Sequence, residues 1–327
     1  MDDRYIVSVA CVLSTSSLML ASISHEIWQL YICIGVLTGF GTSLMWYPCM
    51  QRPLEWFSKR RSLATGVVIG SLGVGGLTFS NVMTACLETI GYAWCLRVLG
   101  FLQLALGGIA AILCKPLNRP TKGVAIVDFA LLRNKRYVLL LGVHFIGAFA
   151  FGIPGGFLPQ YAQSLGVDTW SATNMNGVLS ACMSVGSIVV GYLGDHVGLF
   201  NMTALSGCLV CLFQLTIWLT ATNSASLWAF AVAMGIAQGG INTLVVAIIP
   251  DCVNDPSKRP AGTGWALFMW TFGLLLGQPL ASAIVSRTDI PDYRGAIIFS
   301  AMLVFTMTCL VVAIRVLHSG WHLFKRV

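Results

Sequence analysis

The sequence predicts an all-α polytopic membrane protein of about ten transmembrane helices, and three observations carry that expectation. Only 9% of its 327 residues are charged, against about 25% in soluble domains, and 57% are hydrophobic, more apolar surface than a soluble fold of this length can bury. Apolar runs long enough to cross a hydrocarbon core of about 30 Å recur with short polar breaks between them. The runs are continuous rather than alternating, which favours helices over the strands of a membrane barrel.

The expected spans are approximately 5–22, 29–50, 63–87, 94–114, 137–163, 171–193, 200–221, 227–250, 261–285 and 295–316. The first follows Met1-Asp2-Asp3-Arg4, which lacks the positive excess of a secretory leader, so it reads as a membrane helix. The second carries Trp46 and Tyr47, large enough to shape a site, although aromatics near helix ends also serve as interface anchors. Gly66, Gly70, Gly73, Gly75 and Gly76 stud the third, where small residues let helices approach and slide. Arg97 sits near the outer end of the fourth. The fifth holds His144 and then Pro154, Gly155, Gly156 and Pro159, which predict a break that is either a hinge or a tolerated kink. The sixth ends at Asp195 and His196, and the seventh contains Cys208 and Cys211, read as packing residues because no second ligand pair exists. Gln238 and Asn242 share one face of the eighth, and Trp265 and Trp270 lie on the ninth.

The net charge of +7 does not form one stripe, which argues against nucleic acid as a partner. The basic residues alternate with the spans. With the N-terminus in the cytoplasm, only Arg97, Arg287 and Arg294 of the 19 Lys and Arg residues fall outside, and both termini are cytoplasmic.

A repeat at a spacing of 200 residues matches Trp28, Gly35, Gly39 and Leu44 with Trp228, Gly235, Gly239 and Leu244. Basic turns follow in both copies, Lys59-Arg60 and Lys258-Arg259, and then Gly73 meets Gly273. Helices one to four thus correspond to helices seven to ten, and the partners of helices five and six would precede Met1. The expectation is a twelve-helix parent lacking its first two helices. The domains follow as an incomplete four-helix bundle at 1–114, a cytoplasmic linker at 115–136, a six-helix bundle at 137–316 and a tail at 317–327.

The segments WFSKRRSLATGVVIGSLGVGG at 56–76, YAWCLRVLGF at 92–101, GYLGDHVGLFN at 191–201 and DPSKRPAGTGWALFMWTFGLLLGQPLASAIV at 255–285 resemble the monocarboxylate-transporter-like branch of the major facilitator superfamily, above all its fungal members. The resemblance implies a twelve-helix fold of two six-helix bundles, here without the first two helices, that moves a small organic solute by alternating access. A monocarboxylate or a secondary metabolite is the implied cargo, moved by a gradient, with protons among the options, or by facilitated diffusion. By the same analogy the membrane is the plasma membrane. The family's charged turn survives in GYLGDHVGLFN only as Asp195, because His196 and Leu199 occupy its basic positions, and Ser187 follows Gly186 where a basic residue is usual. That weakens the latch and keeps an alternative open: a non-transporting truncated paralogue acting as a sensor or partner subunit.

Polar groups inside a membrane are costly, so each is a candidate. His144 would exchange a proton or bond an anionic solute, or else be satisfied by a neighbouring helix. Arg97 offers a planar fork to a carboxylate, or snorkels, or pairs with Glu88. Gln238, Asn242 and Trp46 complete the substrate-contact candidates, while Lys59, Arg60, Arg61, Gly73, Asp195 and His196 are the candidates for gating. No P-loop, His-Glu-x-x-His or acid pair within a span appears, so the reading includes no enzyme activity, metal or cofactor.

Overall fold

The computed structural model describes residues 3–57, 59–114, 128–253, 255–286 and 293–319. Residues 115–127 of the expected linker, 320–327 of the expected tail and Arg287 lie outside them. Among the described residues ten helices are long and apolar enough to cross a membrane, so the chain is an all-α polytopic membrane protein.

Helix α1 spans Asp3–Ala21, and α2 runs through Ile27–Leu30, a π-helical stretch Tyr31–Leu37 and Thr38–Trp56. After the basic turn come α3 (Arg61–Thr89) and α4 (Gly91–Leu113), joined tightly at Gly91, whose φ of 78° is one that side chains resist. Next are α5 (Lys135–Ser164), α6 (Thr169–Val197) and α7, which is α-helical over Leu199–Phe213 and π-helical over Gln214–Trp218. The last three are α8 (Ser224–Ala247, with a further turn at Ile249–Cys252), α9 (Arg259–Val285) and α10 (Tyr293–Ser319). Side chains close several helix starts: Asn134 accepts from Arg136 N–H, Asp168 from Ser171 N–H and Asn223 from Ser226 N–H, at 3.1, 2.9 and 2.9 Å.

The chain divides into two compact units, Met1–Ser58 with Thr78–Lys122, and Lys59–Leu77 with Gly123–Val327. In the first, α1 packs between α2 and α4; Ser17 donates to the Cys33 carbonyl, and Gln103 donates to Ser14 Oγ at 2.7 Å. In the second, α6 pairs with α8, α5 with α9 and α10, and α7 with α8 and α10. Glycines set these approaches. A Cβ on Gly235 would stand 2.5 Å from the Leu179 carbonyl oxygen, and one on Gly207 or Gly277 would collide with Thr308 or the Phe149 carbonyl. Helix α5 runs through Pro154 and Pro159 as one helix, so the expected break is a tolerated pair of prolines.

The expectation that the first two transmembrane helices are lacking is corrected. The described chain opens with two membrane-length helices, 4–21 and 27–52, and they pack on each other. The expectation rested on register arithmetic with a handful of Gly and Trp matches, and residue types that recur in membrane helices do not count helices. The matched positions also differ in surroundings. Gly235 and Gly239 press on α6, whereas a Cβ on Gly35 or Gly39 would meet nothing within 4 Å among the described residues. Of the apolar window in each span, 72% is buried for 224–252 and 6% for 27–52.

Candidate functional site

Asp195 lies in the last turn of α6, and its two carboxylate oxygens accept the N–H groups of Ser62 and Leu63, each at 3.0 Å. Those are orphan donors of the first turn of α3, where the helix dipole is positive, so the carboxylate is held by charge-assisted bonds without a basic side chain. One residue earlier, Arg61 donates to Asp251 at the end of α8, at 3.2 Å. Three helices therefore meet at one charged clamp: the start of α3, the end of α6 and the end of α8.

The glycine ladder of α3 explains how the helix gets there. A Cβ on Gly66 would collide with the Ser187 carbonyl, and one on Gly73 with the Ser180 carbonyl and Ser184 hydroxyl. A Cβ on Gly191 of α6 would stand 2.7 Å from the Ser62 carbonyl oxygen. Ser187, where a basic residue was expected, donates to the Gly239 carbonyl at 3.1 Å, and a Cβ on Gly186 would collide with the Ile236 carbonyl. A guanidinium there would not fit between α6 and α8. His196 stands edge-on to Tyr192 with ring centroids 4.6 Å apart, and Lys59 and Arg60 are exposed in the turn before α3.

The substrate-contact candidates are spread over both units. His144 is 1% exposed on α5; its Nδ1 lies 2.9 Å from the Leu140 carbonyl, its Nε2 has no partner among the described residues, and its ring meets Trp270 edge-on at 6.5 Å. Gln238 is buried on α8 with Oε1 unpartnered among the described residues, and Asn242, one turn on, donates to the Met183 sulfur at 3.5 Å. In the other unit Arg97 donates from Nε to Ser22 Oγ at 3.1 Å and lies 4.9 Å above the Trp94 ring, so Ser22 and Trp94 hold it rather than Glu88. Trp46 is half-buried on α2. His144, Gln238 and Asn242 thus belong to one unit, and Arg97 and Trp46 to the other.

Sequence reasoning passed over Gln278 and Asn176. Gln278, on α9 just before Pro279, donates to the Gly152 carbonyl of α5 at 2.9 Å, and Asn176 of α6 is half-buried near Gly155. The signal was present: Gln278 is a lone amide in an apolar run, the same sign that singled out Gln238. All cysteines are free thiols, with Cys208 exposed on α7.

Ten membrane-length helices among the described residues, three of them joined by a charged clamp, fit a membrane transport protein. The chain belongs to the Major Facilitator Superfamily, whose model matches residues 1–231 and 175–322. Among similar proteins are the MFS-type transporter pynF of Aspergillus niger, 28% identical over 91% of this chain and 70% of its own length, and the MFS-type transporter opdF of Penicillium oxalicum, 27% identical over 98% and 76%. The aspyridones efflux protein apdF of Emericella nidulans is 26% identical over 91% of this chain and 61% of its own. The fold is shared with a crystal structure of the superfamily transporter FucP in the outward conformation, with a TM-score of 0.74 at 11% identity over 95% of this chain and 83% of that one. The chain is a small-molecule transporter of the alternating-access type, not the sensor or partner subunit kept as an alternative.

Proposed function

We propose that this transporter exports a small organic product of secondary metabolism across the plasma membrane, with the Asp195 clamp closing its cytoplasmic end and a proton entering the cycle at His144. The clamp carries the reading. Its carboxylate is bonded to backbone N–H groups at a half-exposed helix end, so it can release into water without stranding a charge in hydrocarbon, as a reversible gate requires. The Arg61 to Asp251 pair closes the same end, and Gly73 lets α3 slide along α6 as the clamp opens. Lys59, Arg60 and His196 face the cytoplasm around the clamp, where lipid phosphates and water receive them when it opens. Cargo contacts in the second unit fall to His144, Gln238 and Asn242. Export as the direction rests on similarity to a protein described as an efflux protein.

The test is export from a host cell loaded with a fungal metabolite extract, followed by mass spectrometry of what leaves, with and without the chain and with Asp195→Ala and His144→Gln. At least one neutral or acidic metabolite should leave faster with the chain, and His144→Gln should remove the dependence of that rate on an imposed pH gradient. If no compound's efflux depends on the chain, export is refuted; if His144→Gln retains the gradient dependence, the proton does not enter there.

A further inference from the structure

Gly147, Phe151, Gly152 and Gly156 of α5 lie toward Trp270 and Gln278 of α9, and Gly147 also meets Met307 of α10. Trp270 covers the lower part of this stretch, with its ring 3.9 Å from where a Cβ on Gly147 would be and 5.6 Å, centroid to centroid, from Phe151. Two turns on, Gln278 covers the upper part. Its Nε2 donates to the Gly152 carbonyl, and a Cβ on Gly156 would come within 2.8 Å of Nε2 and 2.9 Å of Oε1. The two glycines are therefore the cradle that holds the amide.

The amide is only half used. Among the described residues no donor reaches Gln278 Oε1, and the side chain is exposed although it lies inside a membrane span. Asn176 of α6 reaches the same glycine stretch from another side, with Oδ1 3.9 Å from where a Cβ on Gly155 would be, and its amide also has no partner among the described residues. Amides facing hydrocarbon with unmade hydrogen bonds are costly, so this surface is turned to water or to cargo. Its chemistry is an acceptor oxygen with two aromatic rings further along the same pair of helices, and no charge among Phe151, Asn176, Trp270 and Gln278.

We infer that Gln278, Asn176, Phe151 and Trp270 form a recognition strip for a neutral, flat, unsaturated solute whose hydroxyl or N–H donates to Gln278 Oε1 while its ring packs on the Trp270 and Phe151 pair. The inference names the cargo class for the export reading and rests on it only for access of cargo to the strip. Binding is therefore measured without transport, so that one can fail while the other stands.

The experiment uses the full chain in lipid nanodiscs, with empty nanodiscs subtracted, and three tritiated probes: 2-naphthol, 2-methoxynaphthalene, which lacks the donor hydrogen, and 2-naphthoate, which is an anion. Saturable binding of 2-naphthol is expected, roughly tenfold tighter than of 2-methoxynaphthalene, the ratio one net hydrogen bond supplies. 2-Naphthoate should bind more weakly than 2-naphthol. Gln278→Ala, and Gly156→Ala, which pushes the amide aside, should each bring the first two probes to equal affinity. No saturable 2-naphthol binding, equal binding of 2-methoxynaphthalene, or a preference for 2-naphthoate would overturn the inference. The probe comparison on the unaltered chain holds even where a variant fails to fold.

Discussion

Removing the Asp195 carboxylate should unlatch α3 from α6 by an amount that the clamp geometry sets. Two backbone N–H groups, of Ser62 and Leu63, donate to it at 3.0 Å each. A hydrogen bond to a charged group nets about 1.5–3 kcal/mol when well buried and less when half-exposed, so the pair is taken at about 2 kcal/mol in total. Asp195→Ala should then shift the clamped against unclamped ratio by about 30-fold, at 1.4 kcal/mol per tenfold. Asp195→Asn keeps a neutral acceptor for one of the two N–H groups and should shift it by roughly half as much in free energy. Ser62 is fully buried in the clamped form, so Ser62→Cys reports opening. Inside-out vesicles are treated with a membrane-impermeant maleimide, and modification of the peptide containing residue 62 is followed by mass spectrometry, which separates it from the native thiols. Labelling should be slowest with Asp195 in place, faster after Asp195→Asn and fastest after Asp195→Ala. A labelling rate that stays within about twofold in the Asp195→Ala chain would refute the idea that this carboxylate holds the end closed.

Three further outcomes follow from the same structure. Gly239→Ala should lower the unfolding temperature, because its Cβ would collide with the Met183 carbonyl and stand 2.8 Å from Ser187 N, whereas Gly39→Ala should be neutral or stabilising by up to about 1 kcal/mol; equal losses at both would refute the difference in packing. Gln214 is fully buried in the π-helical end of α7 with neither amide atom partnered among the described residues, so Gln214→Leu should raise the thermal midpoint, by about 1–3 kcal/mol in stability, and a fall would show that its amide is satisfied. Asp128 sits outside the spans, and the hydrogen bond from Lys258, helped by Ala130 N–H, holds its carboxyl below the usual range, while the same bond raises the Lys258 ammonium. A depressed folded pKa contributes stability that is full above the ordinary carboxylate pKa of about 4 and is lost as pH falls through the folded value. Protection of the Ala130 amide hydrogen, measured relative to its intrinsic exchange rate, should therefore fall as pH drops below the ordinary carboxylate value, and Asp128→Asn should abolish that pH dependence.

Some of the site was written in single residues. Asp195 stood out as an acid at a helix end, and His144 and Gln238 as polar groups in apolar runs, because their cost in a membrane does not depend on the neighbours. What each one touches was not legible. The sequence suggested a weakened latch, since His196 and Leu199 replace basic residues, yet Asp195 bonds the start of α3 through backbone N–H groups, which every sequence has and no motif displays. Arg97 was open to a cargo or to Glu88 and is held by Trp94, one turn back on its own helix, and by Ser22 just after α1, a partner that only packing supplies.

Taken by itself, the sequence determined that the chain is a helical membrane protein of about ten spans, because hydrocarbon forces every backbone polar group into a helix and charge to the ends. Tertiary structure decided which face each helix shows to its neighbours. Gly39 and Gly239 match in the repeat, yet one meets open space and the other a backbone carbonyl, and Pro154 and Pro159 sit within one helix whose Gly152 carbonyl takes the Gln278 amide. In a membrane, apolar character is nearly uniform around each helix, so the hydrophobic pattern that orients helices in water carries little information there, and close steric fit and rare hydrogen bonds between distant residues fix the arrangement instead.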